Sequence, residues 1–305
     1  MIFAAAVRRS FAILAGSMLA TGLTAPAAYA SETASAFGSQ CEAGFVLALR
    51  GSNEPPQDGA SYDPPVYPAA TATAGMGPLL SAFYAAVVKR AAERSIMVPT
   101  GYGVVYPAVR VGNGGASYFA NYTTSIGAGA ENLRLALQQI NAACAGTGTT
   151  IVLAGNSQGA DVINLALGTE ARTPTGDFQN VASIVLFGDP SRADRQTLTA
   201  VGAQHGVGIF RILGLLDGSQ DAWMREHPTL TMSFCIPGDN VCDPVEHPDD
   251  AANARGTAGI TPLDRHLSYA NPAVQLRCEV PGEQGDVWMS AKDCAAHLVA
   301  DRLAE

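Results

Sequence analysis

A parallel α/β sheet covered by helices on both faces is the fold class this 305-residue chain predicts. Two observations carry that prediction. Apolar runs such as "FVLAL" and "TTIVLAG" are short and of buried-strand type, and such runs alternate along the chain with segments of helical periodicity. Runs of that kind are strands buried on both faces, and their alternation with helices is the pattern of a parallel sheet.

The elements follow in order. "FVLAL" (Phe45 to Leu49) is the first buried strand and ends at Arg50-Gly51-Ser52. A loop rich in Pro, Tyr and Gly follows, from Asn53 to about Gly75. "GPLLSAFYAAVVKRAAER" places Leu79, Leu80, Phe83, Ala86 and Val87 at helical spacing. "GVVYPA" predicts a short strand stopped by Pro107. Glu131 to Ala143 predicts a helix with Leu133, Leu137 and Ile140 on one face. "TTIVLAG", "SQGADVINLAL" and "VASIVLFGDP" then read as strand, helix and strand, with Gly168 where a helix C-cap belongs. Ser191 to Phe234 contains at least one helix, and "VWMSAKDCAAHLVADRL" reads as a closing helix that includes Trp288, Cys294, His297 and Leu298.

The ends and the composition bound the class of function. Arg8 and Arg9, the apolar run "FAILAGSMLATGL" and Ala28-Tyr29-Ala30 form a signal peptide over residues 1–30, leaving 31–305 as a single domain. The general secretory route is expected, although "RRSF" resembles a twin-arginine signal in which Val7 departs from the favoured residue. No other apolar stretch is long enough to span a bilayer, so a secreted protein without an integral membrane segment is expected. Loss of two arginines and no acid with the signal moves the net charge from −9 to −11. An acidic chain without Lys/Arg clusters argues against nucleic acid as a partner, and a monomer is expected.

All six cysteines lie beyond the signal: Cys41, Cys144, Cys235, Cys242, Cys278 and Cys294. An even number in an exported chain argues for disulfides, with fifteen possible connectivities. There is no C-x-x-C spacing, and His247, five residues after Cys242, has no further partner at zinc-like spacing. Neither a metal nor another cofactor is expected.

The chemistry concentrates in "IVLAGNSQGADVIN". G-x-S-x-G alone is weak in a chain with 32 Gly, and its plain alternative is a turn of small residues. Here, however, the serine falls between a predicted strand and a predicted helix. Parallel sheets bind ligands at that position, and a nucleophilic serine is presented there on a strained turn. Gly155 and Gly159 relieve contact with the flanking elements, and the N–H groups opening the helix, Gln158 first, face a developing oxyanion.

A serine hydroxyl needs a base and an orienting acid. His205, His227, His247, His266 and His297 all follow Ser157. His297 lies in the predicted last helix, where packing explains it, and His227 and His247 each precede a proline and read as solvated. His205 comes before most candidate acids. His266, in "LDRHLSYANP", lies in a loop before a short apolar turn and is the preferred base. For the acid, Asp189 ends a predicted strand but also suits a turn before Pro190. Asp239 lies in "CIPGDNVC", where Cys235 and Cys242 can close a small loop that presents a carboxylate rigidly. Asp239 is preferred on these grounds, and Asp189 stays open.

Together, "LRGSNEP", "GNSQGADV", "VLFGDP", "CIPGDNVC" and "HLSY" resemble, in order, the segments of the cutinase family and its actinobacterial branch. The resemblance runs from Cys41 to about Leu303. It implies an α/β-hydrolase fold, a three-layer sandwich with a central, mostly parallel sheet. It also implies Ser157 as nucleophile, Asp239 as acid, His266 as base, and Ser52 and Gln158 as the oxyanion hole. Asp189 then becomes structural. The implied disulfides are Cys41–Cys144 and Cys235–Cys242, with Cys278–Cys294 as an extra pair. Asn156 stands where the family usually has an aromatic. The implied activity is hydrolysis of carboxylic esters, from short and medium acyl esters to cutin-like polyesters. A phospholipase or envelope-lipid acyltransferase is the alternative, and a non-catalytic envelope or binding protein a third.

Overall fold

The computed structural model describes residues 37–54, 65–67, 75–110, 116–193, 199–214 and 218–304. The predicted signal peptide and most of the 53–75 loop lie outside the described residues. In chain order the elements are β1 (Phe45–Leu49), α1 (Gly77–Glu93), β2 (Thr100–Gly103), α2 (Ala116–Ala143), β3 (Ile151–Asn156), α3 (Gln158–Arg172), β4 (Val181–Phe187) and β5 (Thr199–Gly202). They continue with α4 (Ile209–Ile212), α5 (Gln220–Glu226), β6 (Thr231–Cys235), β7 (Ala254–Arg255), α6 (Pro262–His266), β8 (Gln275–Cys278), β9 (Val287–Met289) and α7 (Ala291–Leu303).

Six strands form one sheet in the order β2-β1-β3-β4-β6-β5, every pair parallel. The two-residue alternation of the strands explains why both faces are apolar. Phe45, Leu47, Leu49, Ile151 and Leu153 enter one core with Leu133, Leu137 and Ile140 of α2 and Val162 and Ile163 of α3. Val46, Ala48, Val152, Ala154 and Val185 enter the opposite core with Leu80, Phe83 and Val87 of α1 and Cys294, Ala295 and Val299 of α7. The predicted layered α/β fold is present.

From β1 the chain moves to β2 on one side and then crosses to β3 on the other. The carboxyl ends of β1 and β3 therefore flank a topological switch point, where open parallel sheets form their ligand crevice. Ser52 follows β1 and Ser157 follows β3, so this ordering brings the two loops together.

Three sequence expectations are corrected. The strand expected over "GVVYPA" is instead Thr100–Gly103. Val104 forms only an isolated antiparallel bridge with Val66, and the Val105 N–H donates to Pro65 O at 2.9 Å. Gly168 does not end its helix, since α3 continues to Arg172. A Cβ there would sit on the Ser219 hydroxyl, so this glycine serves close packing. Trp288 lies in β9, antiparallel to β8, with the Arg255 guanidinium 3.7 Å from its ring centroid. Among its described residues the Ser191–Phe234 section holds the short helices α4 and α5, the edge strand β5 and most of β6. Among the described residues no helix is long and apolar enough to cross a membrane.

The six cysteines pair as Cys41–Cys144, Cys235–Cys242 and Cys278–Cys294. The first joins the chain before β1 to the end of α2, the second closes the loop after β6, and the third ties β8 to α7.

Candidate active site

The turn from β3 into α3 is the centre of the site. Ser157 has φ 50° and ψ −111°, a backbone region that residues with a Cβ seldom occupy. The turn is tight because its neighbours lack side chains. A Cβ on Gly159 would collide with Leu49 O, and one on Gly155 would lie 2.7 Å from the Ala160 nitrogen. The Ser157 N–H donates to Phe187 O at 2.8 Å, tying the turn to the end of β4.

The structure brings His266 and Asp239 to this serine. His266 Nε2 lies 2.9 Å from Ser157 Oγ, and Nδ1 lies 2.9 Å from Asp239 Oδ2 and 3.1 Å from Oδ1. His266 ends the short helix α6, where a loop is expected, and 109 residues separate it from Ser157. Gly188 seats the imidazole: at φ 56° it follows β4, and a Cβ there would be 2.7 Å from His266 Cε1.

Asp239 is fully buried and satisfied by one donor from its own loop and one from the segment after His266. Val241 N–H donates to Oδ1 at 2.7 Å, and the Tyr269 hydroxyl donates to Oδ2 at 2.5 Å. The Cys235–Cys242 disulfide closes that loop, and Asp243 braces it by accepting the Gly238 N–H at 2.9 Å. Burial first, and then the Asp239 carboxylate, push the Tyr269 hydroxyl well above its ordinary pKa. It therefore stays a neutral donor to Asp239.

Asp189 is buried behind α3, where its Oδ1 accepts from Asn164 Nδ2 at 2.9 Å and from the Ser191 N–H at 2.8 Å. The carboxylate beside His266 is that of Asp239. Three of the other histidines are engaged elsewhere. His205 pairs with Asp250 at 3.1 Å, and His247 Nδ1 lies 3.5 Å from Asp243. His227 is not simply solvated, because it stacks on Trp223 with ring centroids 4.1 Å apart.

Ser52 and Gln158 meet across the site. Gln158 is fully buried, and its Nε2 donates to Ser52 Oγ at 2.9 Å and to Val109 O at 3.1 Å. Its Oε1 accepts from Ser125 Oγ at 2.8 Å. A Ser52 hydroxyl that accepts from Gln158 keeps its own proton to donate. The Gln158 N–H lies in the first turn of α3, where N–H groups have no intrahelical acceptor.

A cleft of about 570 Å³ opens over these groups, lined by Ser52, Ser157 and His266 and by the apolar Leu79, Leu263 and Leu267. Among the described residues no group of three His, Cys, Asp or Glu side chains could hold a metal. The cutinase family model matches residues 68–271.

The chain belongs to the cutinase family.

Among curated proteins it is similar to Carboxylesterase Culp1 of Mycobacterium tuberculosis (strain H37Rv) and of Mycobacterium bovis. Identity to each is 30% over 168 residues, covering 55% of this chain and 62% of those proteins. It is also 26% identical over 205 residues to a protein named Cutinase from Kineococcus radiotolerans, covering 65% of this chain and 52% of that one. The match thus spans less than two thirds of each relative's length.

Three residues of this cutinase-family site were not singled out by sequence reasoning: Tyr269, Gly188 and Glu54. Tyr269 stands three residues after His266 in "HLSY", and Gly188 lies in "VLFGDP". Each motif was visible, but the contacts these residues make are between distant segments.

Proposed function

We propose that this chain is an exported serine ester hydrolase in which Ser157 is the nucleophile, His266 the base and Asp239 the orienting acid. The observation that carries this reading is the unbroken path Ser157 Oγ–His266–Asp239, with 2.9 Å at each step, on a strained strand-to-helix turn. The names of the relatives, a carboxylesterase and a cutinase, point the same way.

His266 Nε2 takes the Ser157 proton as Oγ attacks the ester carbonyl, and Asp239 stabilises the imidazolium through Nδ1. The Ser52 N–H and hydroxyl and the Gln158 N–H stabilise the oxyanion. The intermediate collapses as His266 protonates the departing alcohol, leaving an acyl group on Ser157. Water, deprotonated by His266, releases the acid and restores the serine. These steps require no metal or organic cofactor.

Aliphatic acyl chains suit the apolar rim, where Leu263 and Leu267 are 55% and 73% exposed. Short to medium acyl esters and cutin-like polyesters are therefore the proposed substrates. Residues 1–30 direct export and 31–305 act as one domain. Three disulfides fit an oxidising destination outside the cytoplasm.

The test is turnover of p-nitrophenyl esters of increasing acyl length and of a solid polyester. The wild type is expected to turn over, and His266→Ala to lose about 10⁴-fold or more of kcat. Turnover that survives in His266→Ala would reject the triad. A steep preference for short soluble esters would reject polyesters as substrates. Hydrolysis products alone in the presence of lipid and sugar acceptors would exclude acyl transfer.

A further inference from the structure

One side chain ties the loop of Ser52 to the turn of Ser157, and the catalytic steps leave it without a task. Glu54 Oε2 accepts the Gly51 N–H. Its Oε1 accepts from Asn156 Nδ2 at 3.1 Å. A single carboxylate thus links the residue before Ser52 to the residue before Ser157, and Glu54 itself lies 102 positions from Asn156 in the sequence.

The surroundings are shaped to this bridge. Gly77 has φ 76°, and a Cβ there would collide with Glu54 Oε2. A Cβ on Gly51 would lie 2.6 Å from Asn156 Nδ2. The Glu54 backbone is held too: its carbonyl accepts from Arg50 Nε at 3.1 Å, and its N–H closes a turn onto Gly51 O at 3.3 Å. Between them Asn53 has φ 62°, so the loop holds an unfavoured conformation. Burial pushes the Glu54 carboxyl above its ordinary range, against the pull of the Gly51 and Asn156 donors and of the Arg50 and His266 charges.

We propose that Glu54 is a positioning residue that sets the distance between the two halves of the oxyanion hole, acting through Gly51 and Asn156. This rests on the esterase reading above. The Ser52 and Gln158 N–H groups come from the ends of different strands, and an oxyanion needs both within about 2.7–3.1 Å. Hydrogen bonds to a carboxylate are roughly twice as strong as neutral ones, which suits it to hold two loops in register. At Asn156, where the family usually has an aromatic, the side-chain amide supplies the donor of this bridge.

Two measurements test it: steady-state kinetics on p-nitrophenyl butyrate, and the Gly51 amide resonance in 1H–15N spectra. Glu54→Ala is expected to lower kcat by about 10²-fold, the effect of a misplacement of about 1 Å, with KM nearly unchanged. Asn156→Asp sets two carboxylates against each other and is expected to lower kcat by about tenfold or more. Adding Glu54→Gln to that variant lets the new amide donate to the new carboxylate while its oxygen still accepts from Gly51. Recovery of kcat in this double variant supports the role, because a merely structural lesion would not reverse. Additive losses in the double variant, or unchanged kcat in Glu54→Ala, overturn it. The Gly51 amide proton is expected far downfield in the wild type and to move upfield in Glu54→Ala. An unmoved resonance overturns the bridge itself. A resonance that moves in Glu54→Ala, together with a wild type that shows no ester turnover, upholds the bridge and rejects the esterase reading instead.

Discussion

Replacing Ser157 with glycine should stabilise the protein while abolishing ester hydrolysis. Ser157 holds φ 50° and ψ −111°, and a Cβ in such a region costs about 1–3 kcal/mol. Glycine removes that strain but adds freedom to the unfolded chain, worth about 0.5–1 kcal/mol against it. Ser157→Ala is the matched control, since both variants lose Oγ and its 2.9 Å contact with His266 and only alanine keeps the strained Cβ. The glycine variant should therefore be more stable than the alanine variant by about 1 kcal/mol. Urea denaturation followed by circular dichroism reads this difference directly, and thermal melts should separate the two by about 2–4 °C. An alanine variant as stable as the glycine variant would refute the claim that the turn stores strain for its nucleophile.

Tyr269→Phe removes one donor from the buried Asp239 and leaves the Val241 N–H and His266. It should cost about 1.5–3 kcal/mol at neutral pH. Urea denaturation reads this loss, and a change below about 0.5 kcal/mol would count against Tyr269 as a donor to Asp239. Gly188→Ala puts a Cβ 2.7 Å from His266 Cε1 and should lower kcat by about 10²-fold without unfolding the chain; wild-type kcat would show that Gly188 does not seat the ring. Burial and the neighbouring Asp189 push the Asp161 carboxyl from its ordinary 3.8 up to about 8. A raised carboxyl favours the fold fully below its unfolded pKa, and that contribution is lost as pH rises through about 8. Asp161→Asn should therefore flatten the fall in melting temperature over that window, and parallel profiles for the two proteins would reject it.

Much of this site was legible because its signals are local. The apolar run Ile151–Ala154, the two glycines around Ser157 and the helical pattern after them specify the strand-turn-helix without long-range information. Asp239 was legible because two cysteines flank it within eight residues, and His266 because its motif comes last in the expected order. What stayed hidden depends on segments meeting across the fold. Gly168 reads as a helix end until Ser219 packs against it, and Trp288 reads as helical until β9 pairs with β8. The strand Thr100–Gly103 carries two glycines, a residue depleted in strands. It is a strand because β1 supplies its ladder, and Gly101 leaves room for Met76 and Tyr84. The Glu54–Asn156 bridge was invisible for the same reason. Asn156 stood out as a departure and Glu54 stood unremarked within "LRGSNEP"; only the switch point between β1 and β3 brings them together.

The most direct test of the central claim is covalent labelling with a fluorophosphonate, followed by peptide mass mapping. A single adduct on the peptide carrying Ser157 is predicted, forming rapidly in the wild type, slowly in His266→Ala and not at all in Ser157→Ala. An adduct on another residue, or a folded wild type that forms none, would contradict the assignment of Ser157, His266 and Asp239 as the machinery of an ester hydrolase.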